Sequence, residues 1–488
     1  MSMSSKTIYS KWVPVFLVAV ITVNVTAGEN RYIVQLKNTA DVNKIAERFG
    51  NRMNGKIKYK YEDAIKGFTI QLPENLTAKA SNIPALFKTT DPNVVSVEKD
   101  IRVYPHSQQL PTGVNRMDAE LNGTAKIDGI NEPVDVNVAV IDSGIDSDHP
   151  DLNVYAAGSK SFVAGKPNDW EDEEGHGTSV AGIIGAIDNG IGTVGVAPGA
   201  RLWAMRVFKP NGPSYVSDVI DAIDYITGKS DQIEVVNMSI GSIGEISAYR
   251  TAIQNSVQQG IVYVVSAGND SNDIYGDDST FETGDDTVPA AYPEVMAVSA
   301  MIDTDGKPGG LGYNTTAGDD DSFADFSNYS STVITSNPVN SPGAAIDVTA
   351  PGALVRTTEM GGGYVEFSGT SASAPHISGL VALYISLHGR ANNASEVYAI
   401  RQDIINGGVS QTDARGFQAL TDPDSNPEPI GYYIKGDFDY TGEVNYKDLS
   451  MLASSWLTVD IQKDIFPLGG DGNIDFADLC IFSEEWLK

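Results

Sequence analysis

Residues 136–141, Val-Asn-Val-Ala-Val-Ile, form a mostly apolar run that stops at Asp142-Ser143-Gly144. A strand that is apolar on both faces has to be covered on both, as in a parallel sheet and unlike a half-solvated antiparallel one. Similar runs follow at 202–207, 235–238, 261–266 and 295–299, and helix-patterned stretches at 216–227 and 249–259 lie between several of them. This alternation predicts an α/β fold, a parallel sheet with helices on both faces. Functional groups in such sheets gather beyond the carboxyl ends of the strands, so Asp142 is well placed for chemistry.

A chain of 488 residues that is 41% apolar has enough material for a large core, which excludes wholesale disorder and suggests several domains. The formal charge is −31, and no basic patch interrupts it, so nucleic acid is not an expected partner. The charge is unevenly distributed: residues 1–109 carry a net +6 and the remainder −37. The single cysteine, Cys480, cannot close a disulfide within the chain, so extra stability has to come from size or bound metal.

The N-terminus carries Lys6 and Lys11, the apolar run 13–25, and small residues at Val25-Thr26-Ala27, the pattern of a secretory signal ending at Ala27. The alternative is an uncleaved anchor, although the run is shorter than the ~20 residues that span a bilayer. Beyond it, strands are expected at 32–36, 57–61, 67–72 and 94–103. A helix is expected at 41–49 with Asp41 as N-cap, and a partly helical stretch interrupted by Pro84 at 76–87. The order β-α-β-β-α-β is that of a small split βαβ sandwich. Its position before a large catalytic-looking region suggests a propeptide.

Amide hydrolysis by acyl transfer needs a nucleophile, a base, a carboxylate to hold the base, and donors for an oxyanion. The stretches IDSGID at Asp142, GHGTSVAG at His176 and GTSASAP at Ser371 supply the first three, and SAGND places Asn269 just past a strand end. Singly, each residue reads equally well as structural: a turn cap, a packed histidine, a helix start. Together and in this order, over residues 112–410, they resemble the subtilisin-like serine proteases (subtilases). The resemblance implies that Asp142 orients His176, that His176 takes the Ser371 proton, and that the Asn269 amide and the Ser371 N–H bind the oxyanion. Gly369 before Ser371, with Pro375 expected inside the first helical turn, fits a nucleophile held at a helix N-terminus. The stretch Asn237-Met238-Ser239-Ile240-Gly241 resembles the family's substrate-pairing edge strand, with Ser239, Ile240 and Gly241 against substrate main chain.

The same resemblance makes 187–193 a calcium loop. Asp151 and Asn189 would ligate through side chains and Ile187, Ile191 and Thr193 through carbonyls, with Gln108 or Gln109 as a further candidate. The alternative is a metal-free turn rich in Asn and Gly. Two segments depart from a minimal subtilase, 270–287 and 303–321. Both are rich in Asp, Gly, Ser and Thr and read as solvated surface loops, with additional calcium binding as the alternative.

After the Pro-rich stretch 421–429, two segments repeat at an offset of 30: 442–449 (GEVNYKDL) matches 472–479 (GNIDFADL), and Trp456-Leu457 matches Trp486-Leu487. The pair resembles a dockerin-type module of two calcium loops. In the first loop Asp437, Asp439, Thr441, Asn445 and Asp448 offer side-chain oxygens, Glu443 a carbonyl, and Gly442 the sharp turn. The second loop lacks its first two ligands, which fall on Pro467 and Gly469. Resemblance implies a cohesin-like docking partner.

The expected layout is therefore a signal peptide at 1–27, an α+β propeptide inhibitor at 28–109, a subtilisin-like catalytic domain at 110–415, a linker at 416–431, and a small helical dockerin-like module at 432–488. The expected function is a secreted, calcium-stabilised serine endopeptidase acting on proteins or peptides, inhibited by its own propeptide and without a membrane span after signal removal. A catalytically silent binding protein on the same scaffold and an exopeptidase are the alternatives.

Overall fold

The computed structural model describes residues 31–73, 83–100, 108–210, 212–334, 336–417, 421–432 and 449–450. The chain divides into two compact units between Tyr104 and Pro105. Among the described residues, no helix is long and apolar enough to cross a membrane. The expected signal segment and the dockerin-type ligands Asp437, Asp439, Thr441, Glu443, Asn445 and Asp448 lie outside the described residues, as does Cys480.

The first unit runs β1 (Arg31–Leu36), α1 (Val42–Met53), β2 (Lys56–Tyr61), β3 (Gly67–Gln71), α2 (Ile83–Thr90) and β4 (Val94–Lys99). Its antiparallel sheet has the order β2-β3-β1-β4. Asp41 caps α1 as expected, accepting the Lys44 N–H at 3.0 Å. The core under the sheet is Val34, Phe49, Phe68, Ile70 and Phe87, all fully buried, with Phe49 stacked on Phe87. Of the partly helical stretch expected at 76–87, residues 76–82 lie outside the described residues and the rest falls within α2.

The second unit contains α3 (Thr112–Arg116), β5 (Asn137–Asp142), β6 (Lys160–Ser161), α4 (His176–Gly185), β7 (Arg201–Arg206), α5 (Val216–Thr227) and β8 (Val235–Met238). It continues with β9 (Ser242–Ile243), α6 (Ser247–Val257), β10 (Val262–Ser266), β11 (Thr287–Val288), β12 (Met296–Ile302), β13 (Ser322–Phe323) and β14 (Val348–Pro351). The last elements are β15 (Val355–Glu359), β16 (Gly363–Phe367), α7 (Thr370–His388) and α8 (Ala394–Gly407). The large sheet has the order β13-β12-β10-β8-β5-β7-β6, with β14 also paired to β12. Every pair is parallel except β12 with β13. β5 lies between β7 and β8, so successive strands leave it in opposite directions and open a crevice at its carboxyl end, where Asp142 stands.

The segment expected to be a linker is ordered near its end. Ile430 is buried, exchanges main-chain hydrogen bonds with Val409, and is bracketed by Thr349, whose N–H bonds Pro429 O and whose carbonyl accepts from Gly431. Both acidic insertions also depart from the solvated loops expected of them. Asp273, Asp286, Asp303, Asp320 and Asp321 are buried, because their carboxylates turn inward to accept loop amides such as those of Tyr275, Glu282, Gly306, Gly312 and Gly309. A glycine-rich loop has too few side chains to cover its own N–H groups, and the carboxylates satisfy them.

Candidate active site

Asp142 is the last residue of β5 and fully buried. His176 opens α4, and its Nδ1 lies 2.8 and 2.9 Å from the two Asp142 oxygens. A carboxylate accepts only, so Nδ1 carries the proton and donates, which leaves Nε2 as a free acceptor facing the cleft. Such close approach needs a residue without a side chain beside it: a Cβ at Gly177 would lie 2.1 Å from the Gly144 carbonyl and 3.1 Å from Asp142 Cβ. The Phe367 ring meets the imidazole edge to face at 5.2 Å. The Asp142 charge raises the His176 pKa to about 8 against the opposing effect of burial.

Asp172, unmarked in the sequence reading, holds the entry to α4. Its Oδ1 accepts from the Glu174 and Gly175 amides and from Ser143 Oγ, and its Oδ2 from the amide and hydroxyl of Thr178. Ser143 Oγ accepts the Gly177 N–H in turn, which couples the turn after β5 to the first turn of α4. Its signal was an Asp four residues before a helix-opening His and six before a Thr, a spacing with a capping meaning.

Ser371 is the second residue of α7, between a Thr370 N–H that bonds Asn269 Oδ1 and an Ala372 N–H that bonds the Gly369 carbonyl, in the turn where N–H groups lack a partner one turn back. Its Oγ donates to the Ser239 carbonyl at 3.3 Å. Pro375 sits in the second turn, not the first as expected. Its ring nitrogen cannot bond the Ser371 carbonyl one turn back, and Ser239 Oγ donates to that carbonyl at 3.0 Å instead. Asn269, exposed three residues past β10, accepts at Oδ1 from both the amide and the hydroxyl of Thr370, at 2.8 and 2.9 Å. Its Nδ2 is thereby the group left to face the cleft. Gly369, with φ of 129°, leaves the space between: a Cβ there would stand 3.4 Å from Asn269 Nδ2 and 3.7 Å from Ser371 N. The two donors thus flank one small volume, the arrangement that suits a developing oxyanion.

Asp142, His176, Phe208, Pro213, Ser239 and Gly241 are among the residues lining a cleft of about 370 Å³. Ser239, Ile240 and Gly241 lie between β8 and β9 without strand pairing, and no main-chain hydrogen bond to Ile240 or Gly241 occurs among the described residues. Ile240 and Gly241 offer free main-chain groups at the rim, as an extended peptide requires.

The expected calcium loop is assembled around Asp151, which is 0% exposed. Its carboxylate accepts from Asn189 Nδ2, the Thr193 amide and Tyr364 Oη, and no Lys or Arg pairs with it among the described residues. Burial raises its pKa. Gln108 belongs to this loop: its Oε1 accepts the Asn189 and Gly190 amides, and its own N–H bonds the Gly190 carbonyl. Gln109 likewise bonds Gly192 O. Among the described residues, Thr193 Oγ1 is buried without a partner, and no main-chain hydrogen bond is accepted by the carbonyls of Ile187, Ile191 or Thr193. An all-oxygen set around an uncompensated carboxylate fits a hard cation such as calcium.

Residues 134–420 match the model of the subtilase family. Subtilisin E of Bacillus subtilis (strain 168) is 34% identical over 373 residues, which covers 76% of this chain and 84% of the relative. A subtilisin of Bacillus pumilus is 35% identical over 59% of this chain and 89% of its own length. A solved cold-adapted subtilisin-like serine proteinase covers 67% of this chain and all of its own, at 26% identity and a TM-score of 0.46. With a family match over more than half its length and relatives at this identity, the chain belongs to the subtilase family and is a subtilisin-like serine protease.

Proposed function

We propose that the protein is a secreted endopeptidase, made as a self-inhibited precursor, that cuts protein main chain through Asp142, His176, Ser371 and Asn269. The observation that carries this reading is the imidazole of His176 fixed by Asp142 in the tautomer that leaves Nε2 free. His176 Nε2 takes the Ser371 Oγ proton as the oxygen leaves the Ser239 carbonyl and attacks the scissile carbonyl carbon. The oxyanion of the tetrahedral intermediate is bound by Asn269 Nδ2 and the Ser371 N–H. His176 then gives its proton to the leaving amine, and water, activated by the same base, releases the acyl group from Ser371. Ser239, Ile240 and Gly241 align the substrate main chain, which favours cutting within a chain over trimming its end.

The β-α-β-β-α-β unit within 28–109 serves as the inhibitor, and the net +4 of residues 28–109 complements the −37 of residues 110–488. Calcium held by Asp151, Asn189, the carbonyls of Ile187, Ile191 and Thr193, and Gln108 braces the catalytic unit and takes no part in the chemistry. The repeat after residue 432 acts as a dockerin-like tether. Expressing the precursor beside Ser371→Ala tests the enzymatic reading. The parent should shorten itself and digest casein and a peptide blocked at its N-terminus, while Ser371→Ala does neither. Two full-length, inactive proteins would overturn it.

A further inference from the structure

The insertion between β12 and β13 folds three carboxylates into the protein around a single cation. Asp303, Asp320 and Asp321 are 1%, 3% and 0% exposed. The guanidinium of Arg116, on α3, faces them with Nε 2.9 Å from Asp321 Oδ1 and 4.0 Å from Asp303 Oδ1. Its Nη2 is committed to the carbonyls of Arg415 and Gly416. Asp321 Oδ2 accepts the Gly309 and Gly310 amides. Asp320 accepts from the Thr304 amide and hydroxyl and from the Gly312 amide. Three buried carboxyl groups thus share one guanidinium, before Asp305 at the rim of the cluster is added.

Amides satisfy most of these oxygens but not all. Asp303 Oδ1 accepts the Gly306 N–H, whereas Asp303 Oδ2 is buried with no partner. A buried carboxylate oxygen without a donor is rare in folded proteins and marks a missing bond. One carboxylate oxygen from each of Asp303, Asp305 and Asp320 also comes within 4.8 Å of the others. Ligands of a calcium ion stand about 2.3–2.6 Å from it, so oxygens on opposite sides of its shell are about that far apart. A donor set made only of oxygens, rich in carboxylates and carried on a glycine-rich loop, suits a hard cation that accepts irregular coordination.

We propose that Asp303, Asp305 and Asp320 hold a calcium-sized divalent cation, separate from the loop around Asp151. The ion supplies the charge that Arg116 alone does not. Because Arg116 also grips Arg415 and Gly416, the filled loop ties the start of the second unit to its far C-terminal stretch. The site is an addition carried by the acidic insertion, and it accounts for carboxylates buried where solvated ones are expected.

The test uses the full chain carrying Ser371→Ala, to prevent self-cleavage, and compares it with the same protein bearing Asp305→Asn. In equilibrium dialysis at a calcium concentration that saturates the parent, the Asp305→Asn protein should bind one equivalent fewer. Its melting temperature should also rise less on calcium addition. Equal stoichiometry with an equal rise would overturn the proposal. A second measurement needs no change in the loop: crystals of the Ser371→Ala protein soaked in terbium should show an anomalous peak among Asp303, Asp305 and Asp320. Peaks elsewhere and none here would overturn it.

Discussion

Thr370 gives both its main-chain N–H and its hydroxyl to one atom, Oδ1 of Asn269, and its own Oγ1 accepts the Gly268 amide at 3.2 Å. Thr370, the neighbour of Ser371, thus sets which end of the Asn269 amide is left free to donate. Preorganised donors stabilise a transition state because they need not turn to meet the charge. Thr370→Val keeps the shape and removes one of the two restraints. A single hydrogen bond is worth about 0.5–1.5 kcal/mol, so kcat should fall about threefold to tenfold with KM little changed. Thr370→Ser should restore it. Asn269→Ala removes the donor itself and should cost ~10²–10³ in kcat. Steady-state kinetics on a blocked chromogenic peptide read all three, and a Thr370→Val enzyme altered only in KM would refute the positioning role.

The pairing of His176 with Asp142 fixes the pH range of activity. With its pKa raised to about 8, His176 is an effective base only as pH climbs through that value. The acid limb of kcat/KM should therefore have its midpoint near 8 in the free enzyme. Asp142→Asn removes the charge responsible, so the limb should move down towards the ordinary histidine value of about 6.5. The same change favours the wrong tautomer and should lower kcat by ~10⁴. A limb that stays in place in Asp142→Asn would show that another group sets it.

The same shift predicts a stability effect of opposite direction to the activity. The folded pKa of His176 lies above its unfolded value of about 6.5, so protonation favours the folded state. That contribution is complete below about pH 6.5 and is lost as pH rises through about 8. The Ser371→Ala protein should lose denaturation midpoint across this window, and a further His176→Gln change should flatten the loss. Urea melts at pH 6, 7, 8 and 9 measure it, and identical slopes in the two proteins would count against the linkage.

What could be read from the chain before folding follows from the range of the interactions involved. The apolar run ending at Asp142 and the helix at 216–227 were legible because burial patterns are local, and both elements lie where the pattern puts them. Asp142, His176, Ser371 and Asn269 each stand in a local motif, and the pairing of His176 with Asp142 joins two of those motifs across the fold. Their supports Asp172 and Thr370 were not legible, because a capping carboxylate or a buried hydroxyl looks like any loop residue until the chain closes on it. Pro375 was misplaced by one turn because the partner that excuses it, Ser239, is distant in sequence. Charge composition misled most at 303–321, where acidity read as solvation; a glycine-rich loop instead uses its carboxylates to cover its own amides.

Asp151 yields the last prediction. It is fully buried, accepts from Asn189 Nδ2, the Thr193 amide and Tyr364 Oη, and pairs with no Lys or Arg among the described residues. A ligand that binds only the folded state stabilises it by RT ln(1 + [L]/Kd), about 2.7 kcal/mol at a hundredfold excess over Kd. Chelation should therefore lower the melting temperature of the Ser371→Ala protein by several degrees. Asp151→Asn should reproduce part of that drop in calcium and respond less to chelator. Chelation also empties any other calcium site, so the variant is what assigns the effect to this loop. A melt of Asp151→Asn that falls with chelator as far as the parent's would remove Asp151 from the calcium account.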